Sequence, residues 1–364
     1  MRTAEEILRD TRWDELGHAY GSAADAPRPL LDLLSEDEEA CGNALGYLDA
    51  AVLHQGSVYS STAPAAEYVA SILGDPRVSL PCESALPWDD RERPLRAALL
   101  EWLGAFAESV TYDQESFGDE FDEEFDDEEE AAVRAGRALL PDLFGQVVPF
   151  LDDADAAVRQ AATGAVARLL GAAELAGHRA GVAERLLSAA REASPLERAG
   201  IALTLGGWGV PVLLDDEHPG VRAYAAIATA YDDDPAALAE VRAALRDPAA
   251  ADDLLGGRPP QLDMMLRFHL VAALLRRTTT FDEIADEAVA IARMTNAYTV
   301  DSDWGPLLVR AFPSGPADAL TAAQHRFLAA LVTNDECWGS IANPKGWLRK
   351  AGLPTERDAL RELL

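Results

Sequence analysis

Leu151-Asp152-Asp153-Ala154-Asp155-Ala156-Ala157-Val158-Arg159-Gln160-Ala161-Ala162 returns 63 residues later as Leu214-Asp215-Asp216-Glu217-His218-Pro219-Gly220-Val221-Arg222-Ala223-Tyr224-Ala225. In both copies the leucine, the paired aspartates, the Val-Arg pair and the closing alanine keep their offsets. Val158 and Ala162 stand four apart, as do Val221 and Ala225, which places each pair on one face of a helix. The carboxylates in front supply acceptors for the N–H groups that a helix start leaves unpaired. A unit recurring at this period is a helical hairpin that cannot bury its apolar face alone and so must pack on its neighbours. Ser194-Pro195-Leu196, followed by Ala199 and Leu203, reads as a degenerate copy between the two, and Arg93-Pro94-Leu95-Arg96-Ala97-Ala98 as an earlier one.

Outward from this pair, helical periodicity dominates and strand alternation is almost absent. Leu95, Leu99, Leu100, Leu103 and Phe106 follow at steps of three and four, as do Leu266, Leu270, Ala273 and Leu274. Breakers separate such segments: Gly74-Asp75-Pro76, Gly171, Ser194-Pro195, Asp234-Pro235, Asp247-Pro248 and Gly256-Gly257. Helices of ~12–20 residues with short connections are expected. The fold class is all-α.

The pattern L-D-D-x4-V-R-x2-A resembles the first helix of HEAT repeats, particularly the short kind found in phycobilisome-lyase-like proteins. The resemblance implies an α-α superhelix in which Asp155 caps its helix, Val158 and Val221 enter the core, and Arg159 and Arg222 tie adjacent repeats. It is strongest over 150–232 and implies a single HEAT-like solenoid over 1–364, with capping helices over 320–364. The last of these, after Pro354, carries the polar face of Glu356, Arg357, Asp358, Arg361 and Glu362, as a solenoid end requires.

A chain of 364 residues exceeds the ~250–300 at which a single core stops growing, so it must divide into domains or lengthen as a stack. Its 63 acidic residues against 31 basic ones leave a net charge of −32. Such a body is repelled from nucleic acid and from anionic membranes, and its expected partner is another protein, of basic character. Lysine occurs only at Lys345 and Lys350, which reads as coding preference for arginine. Cys41, Cys82 and Cys337 are far apart and odd in number, forming no CxxC pair and no disulfide framework. The opening Met1-Arg2-Thr3-Ala4-Glu5-Glu6 lacks the apolar core of a secretory leader, and a cytoplasmic location is expected.

Dense acid is concentrated at 111–130, an insert expected to be disordered: Asp113 to Glu130 holds twelve carboxylates and no basic residue. Phe117, Phe121 and Phe125 recur in it every four residues beside Asp122, Glu123 and Glu124, a candidate partner-binding stripe for a basic protein. Asp113, Glu115, Gly118, Asp119 and Glu124 fall in the register of a calcium loop, but Phe117 and Phe121 occupy two ligand positions. No metal and no cofactor is expected. The sequence holds no HExxH, no GxxxxGK, no GxSxG and no GxGxxG after a strand, and its six histidines are scattered. His54-Gln55-Gly56-Ser57-Val58-Tyr59 reads as a helix-end loop, and Trp304, Trp338 and Trp347 as core of the C-terminal module.

These readings favour a non-enzymatic protein–protein interaction scaffold or adaptor. The second expectation is an acidic inhibitor or immunity-type protein occupying the basic site of a nuclease or nucleic-acid-binding partner. The third, implied by resemblance alone, is a HEAT-fold lyase.

Overall fold

Ser194-Pro195, His218-Pro219, Asp234-Pro235 and Asp247-Pro248 each open a helix the same way: the first side chain accepts from a free backbone N–H, and proline fills the first helical position. Proline has no N–H to lose there, and its fixed φ already suits the helix. Three of the sequence breakers, Ser194-Pro195, Asp234-Pro235 and Asp247-Pro248, are thus helix starts. The computed structural model describes residues 1–85, 91–111, 127–262, 264–316, 319–339 and 341–364. It is 67% helical with 2% strand, an all-α fold in two compact units, Met1–Ser188 and Ala189–Leu364.

The first unit contains α1 (Ala4–Asp10), α2 (Pro27–Asp32), α3 (Glu38–Tyr47), α4 (Thr62–Ile72), α5 (Leu95–Thr111), α6 (Asp127–Val147), α7 (Ala156–Leu169) and α8 (Arg179–Ala189). Two short antiparallel pairs join them: β1 (Gly17–His18) with β2 (Gly21–Ser22), and β3 (Pro81–Cys82) with β4 (Arg93–Pro94). The apolar row read on α5 is fully enclosed, with Leu99, Leu100, Leu103 and Phe106 at 0% exposure. α5 packs on α7 at Gly104, where a Cβ would lie 3.1 Å from Ala165 Cα. Asp127–Glu130, read from sequence as part of the acidic insert, form instead the first turn of α6. Four carboxylates at a helix N-terminus complement the positive end of its dipole, which favours helix there.

The second unit contains α9 (Pro195–Gly207), α10 (Pro219–Ala226), α11 (Pro235–Leu245), α12 (Pro248–Ala251), α13 (Leu266–Arg277), α14 (Ala285–Met294), α15 (Trp304–Ala311), α16 (Ala322–Thr333), α17 (Asn343–Lys350) and α18 (Arg357–Arg361). One cluster of buried residues runs from Ala199 to Leu360, with Trp304 inside it and Trp338 and Trp347 packed against it. The indole N–H groups of these three tryptophans are bonded to Asn296 O, Leu331 O and Asp301 Oδ1. Several helices are shorter than the sequence suggested. α10 stops at Ala226, and Thr229–Tyr231 continue as a tighter 3-10 turn.

The repeated motif makes the same bonds in both places. Asp155 accepts from the N–H of Ala157 and Val158, while Val158 and Val221 are buried at 1% and 0% exposure. Arg159 donates to the carbonyls of Asp153 and Ala154, and Arg222 to those of Asp216 and Glu217. Each arginine therefore clamps the loop before its own helix, and Arg222 also reaches Glu240 of α11 at 3.1 Å. The second aspartate of the motif takes an arginine from an earlier helix. Asp216 is held by Arg198 of α9 at 2.7 Å, and Asp153 lies 3.6 Å from Arg96 of α5.

Arginine also has a use that sequence did not reveal. Arg96, Arg137, Arg179, Arg276, Arg277, Arg310 and Arg357 donate to carbonyls at or just beyond the ends of α4, α5, α7, α10, α13 and α16. Carbonyls at a helix end are left without an intrahelical partner, though Ala228 O also accepts from the Tyr231 N–H, and a planar fork satisfies them with geometry that a lysine ammonium lacks.

Candidate functional site

The partner-binding stripe expected at Phe117, Phe121, Phe125, Asp122, Glu123 and Glu124 lies outside the described residues. Its flanks are described. α5 ends at Thr111 and α6 begins at Asp127, and Arg137 of α6 donates to Val110 O at 2.5 Å. The helices on either side of the acidic run in sequence therefore pack on each other.

Two of the scattered histidines, His18 and His54, pack on the same tyrosine in the first unit. Gly21, at φ 118°, closes the turn between β1 and β2 and brings the Tyr20 ring edge-on to both His18 and His54, at 6.2 and 5.7 Å. His18 Nδ1 accepts from the Tyr20 N–H at 3.1 Å, so the proton sits on Nε2, which donates to Asp25 at 3.0 Å. Tyr47 donates its hydroxyl to the same carboxylate at 3.2 Å. Burial first, then the Asp25 charge and hydrogen bond, push the Tyr47 phenol well above its ordinary range. Both His18 nitrogens and the Asp25 oxygen facing them are occupied, and through Tyr47 the dyad fastens the hairpin to α3.

His54 follows a π-helical turn, Leu48–Val52, and Nδ1 bonds the carbonyl of Ala50. The next residue, Gln55, takes a left-handed φ of 52°. The segment is a helix-end loop, as its sequence suggested. Tyr20, 69% exposed, and His54 form an aromatic surface patch above it. Sequence spacing did not reveal this patch; the hairpin turn places Tyr20 beside both His18 and His54.

A groove of about 600 Å3 runs between α1, α2 and α4. Leu8, Leu31 and Leu34 contribute apolar wall, and Glu5, Asp75 and Arg77 polar wall. Leu31 is 53% exposed. Arg77 pairs with Asp75 at 2.7 Å and holds that carboxyl at about 2. With Arg77 neutralised by Asp75, Glu5 leaves the groove net negative, its wall part apolar and part polar.

A second groove, of about 310 Å3, is lined by Glu38, Glu39, Gly42, Cys82, Glu83 and Glu92, among others. It overturns the sequence picture of isolated cysteines: Cys41 Sγ and Cys82 Sγ stand 3.1 Å apart. The shared proton draws the Cys41 thiol below its ordinary range and drives Cys82 above it.

In the second unit Asp303 is fully buried, accepting from Thr295 Oγ1 and the Trp304 N–H at 2.6 Å each, with Arg267 Nε at 3.6 Å. Burial raises its carboxyl despite these bonds. Arg267 pairs on its other side with Asp252, so the charges join the ends of α12, α13 and α15. Among the described residues no group of three or more His, Cys, Asp or Glu side chains is placed to hold a metal ion, and no helix is long and apolar enough to cross a membrane. No protein-family model matches the chain, nor does any curated protein or solved structure.

Proposed function

We propose that the chain is a protein-interaction scaffold of HEAT-like hairpins, running as one solenoid over 1–364, and that it holds a basic amphipathic helix of its partner in the groove between α1, α2 and α4. The observation that carries the reading is the chemistry of that groove. Leu31, 53% exposed, lines it with the half-buried Leu8 and Leu34 beside a carboxylate and a self-neutralised arginine, on a chain of net charge −32. Apolar side chains at helical spacing fill such a wall while flanking lysines or arginines meet the acid. The recurring clamp at Arg159 and Arg222, with Asp153 and Asp216 facing earlier arginines, supports the hairpin architecture.

A partner is recovered by affinity capture, and its binding is measured against Leu31→Glu. Leu31 is 53% exposed, so this change should leave thermal unfolding in place and weaken binding at least about tenfold by burying an unpaired charge. Unchanged affinity would remove the groove from the interface. If the partner were a nuclease whose activity the protein blocks with unchanged groove dependence, the acidic-inhibitor reading would replace the scaffold.

A further inference from the structure

We propose that Cys41 and Cys82 are a reversible dithiol–disulfide pair, oxidised by small neutral or cationic disulfides that enter through the acidic groove. The placement is set by backbone. Gly42 approaches the loop after β3 so closely that a Cβ would lie 2.6 Å from Glu83 O, and the Ala85 N–H donates to Gly42 O at 3.1 Å. These contacts hold α3 against β3 and set the two sulfurs 3.1 Å apart. A disulfide needs ~2.05 Å, so closure asks for a movement of about 1 Å. Both residues are buried, at 7% and 5% exposure, yet Cys82 forms part of the groove wall. Large oxidants are excluded and small ones admitted.

Charge then selects among the small ones. Glu38, Glu39, Glu83 and Glu92 surround the opening and are all exposed. The cation across the β3–β4 pair from Cys82, Arg93, is engaged by Glu101 at 3.0 Å. An anionic disulfide is repelled from this opening and a dicationic one concentrated there. The exchange balances without any further reagent. One thiolate attacks the incoming disulfide, forming a mixed disulfide and expelling the first small thiolate. The second cysteine attacks the protein sulfur of that bond, closing Cys41–Cys82 and expelling the second. The two cysteine protons finish on the two released thiols. The protein is oxidised by two electrons and the reagent reduced by two. Cys337 stands apart: it is fully buried, and burial pushes its thiol to about 12.

The full chain is treated under native conditions with cystamine (dicationic), hydroxyethyl disulfide (neutral) or glutathione disulfide (anionic), then alkylated and mapped by mass. The wild type should lose two hydrogens without retaining an adduct, with Cys337 still a free thiol after unfolding. Cys41→Ser and Cys82→Ser should each stop at one stable adduct on the remaining partner. At low salt cystamine should react about tenfold faster than glutathione disulfide, the ratio shrinking as salt shortens the Debye length. Glu39→Gln with Glu92→Gln, which leave both thiols in place, should shrink it too. Gly42→Ala should slow ring closure while Cys41 and Cys82 remain. Accumulated adduct on the wild type, or equal modification of Cys337, overturns the pair; equal rates for the three reagents overturn the groove's selectivity. Circular dichroism of the serine variants, with alanine variants as a second pair, separates lost folding from lost chemistry.

Discussion

Asp216 shows how much one carboxylate organises. Its side chain is 6% exposed, receives two bonds from Arg198 and one from the His218 N–H, and so joins α9 to the start of α10. Burial alone would raise its pKa, but the Arg198 and His218 bonds and the nearby positive charge outweigh that and hold it below the ordinary range. Arg198→Ala should cost about 2–3 kcal/mol, because it strands a nearly buried charge. Urea unfolding of both single variants and the double variant measures the coupling; additive costs would mean that no tie exists. Asp216 also carries a pH dependence. Its folded pKa lies below the unfolded value of ~3.9, so below about pH 4 the unfolded chain binds more protons and stability falls as pH falls. Asp216→Asn should therefore be less stable than wild type at pH 7, and the difference should close on acidification. A gap that stays constant from about pH 6 to pH 3 would contradict the assignment.

At the scale of elements, glycines separate close approach from accident. In α15 a Cβ on Gly305 would meet Val300 O at 2.5 Å and the Trp347 ring at 2.6 Å, and neither the carbonyl nor the packed indole has room to yield. Gly305→Ala should cost about 2–3 kcal/mol through overpacking. Gly145, inside α6, has open space around its Cβ position. Gly145→Ala should stabilise by about 0.5–1 kcal/mol, since alanine loses less backbone entropy in a helix. Thermal unfolding of the two variants should shift in opposite directions; stabilisation of both would show that helix propensity alone decides, and destabilisation of both would contradict the open space at Gly145.

For the whole molecule, charge is the dominant quantity. The structure narrows the acidic run to be tested, because Asp127–Glu130 belong to α6. Exchanging the eight carboxylates from Asp113 to Asp126 for Asn and Gln leaves a net charge of −24 and spares that helix start. Helix content by circular dichroism should be unchanged. Association with a basic partner should slow most at low ionic strength, where the Debye length reaches about 30 Å. Equal stopped-flow rates at low salt would leave the run no part in recognition.

The all-α class was legible in the sequence because helix periodicity and start signals are local: Val158 and Ala162 share a face, and Asp155 caps it, whatever lies around them. The motif's bonding was half legible. That Arg159 and Arg222 mattered was evident, but their clamp on their own loops depends on where the backbone carbonyls point. Ties to an earlier helix run through Asp153 and Asp216, Arg222 also reaches Glu240 of α11, and the capping arginines likewise use partners up to 49 residues away. The groove and the Cys41–Cys82 pair were not legible at all. Sulfurs 41 residues apart meet only because Gly42 lets two backbones touch. Local sequence determines which residues form helices, while proximity across the chain is decided by which surfaces can pack without a clash.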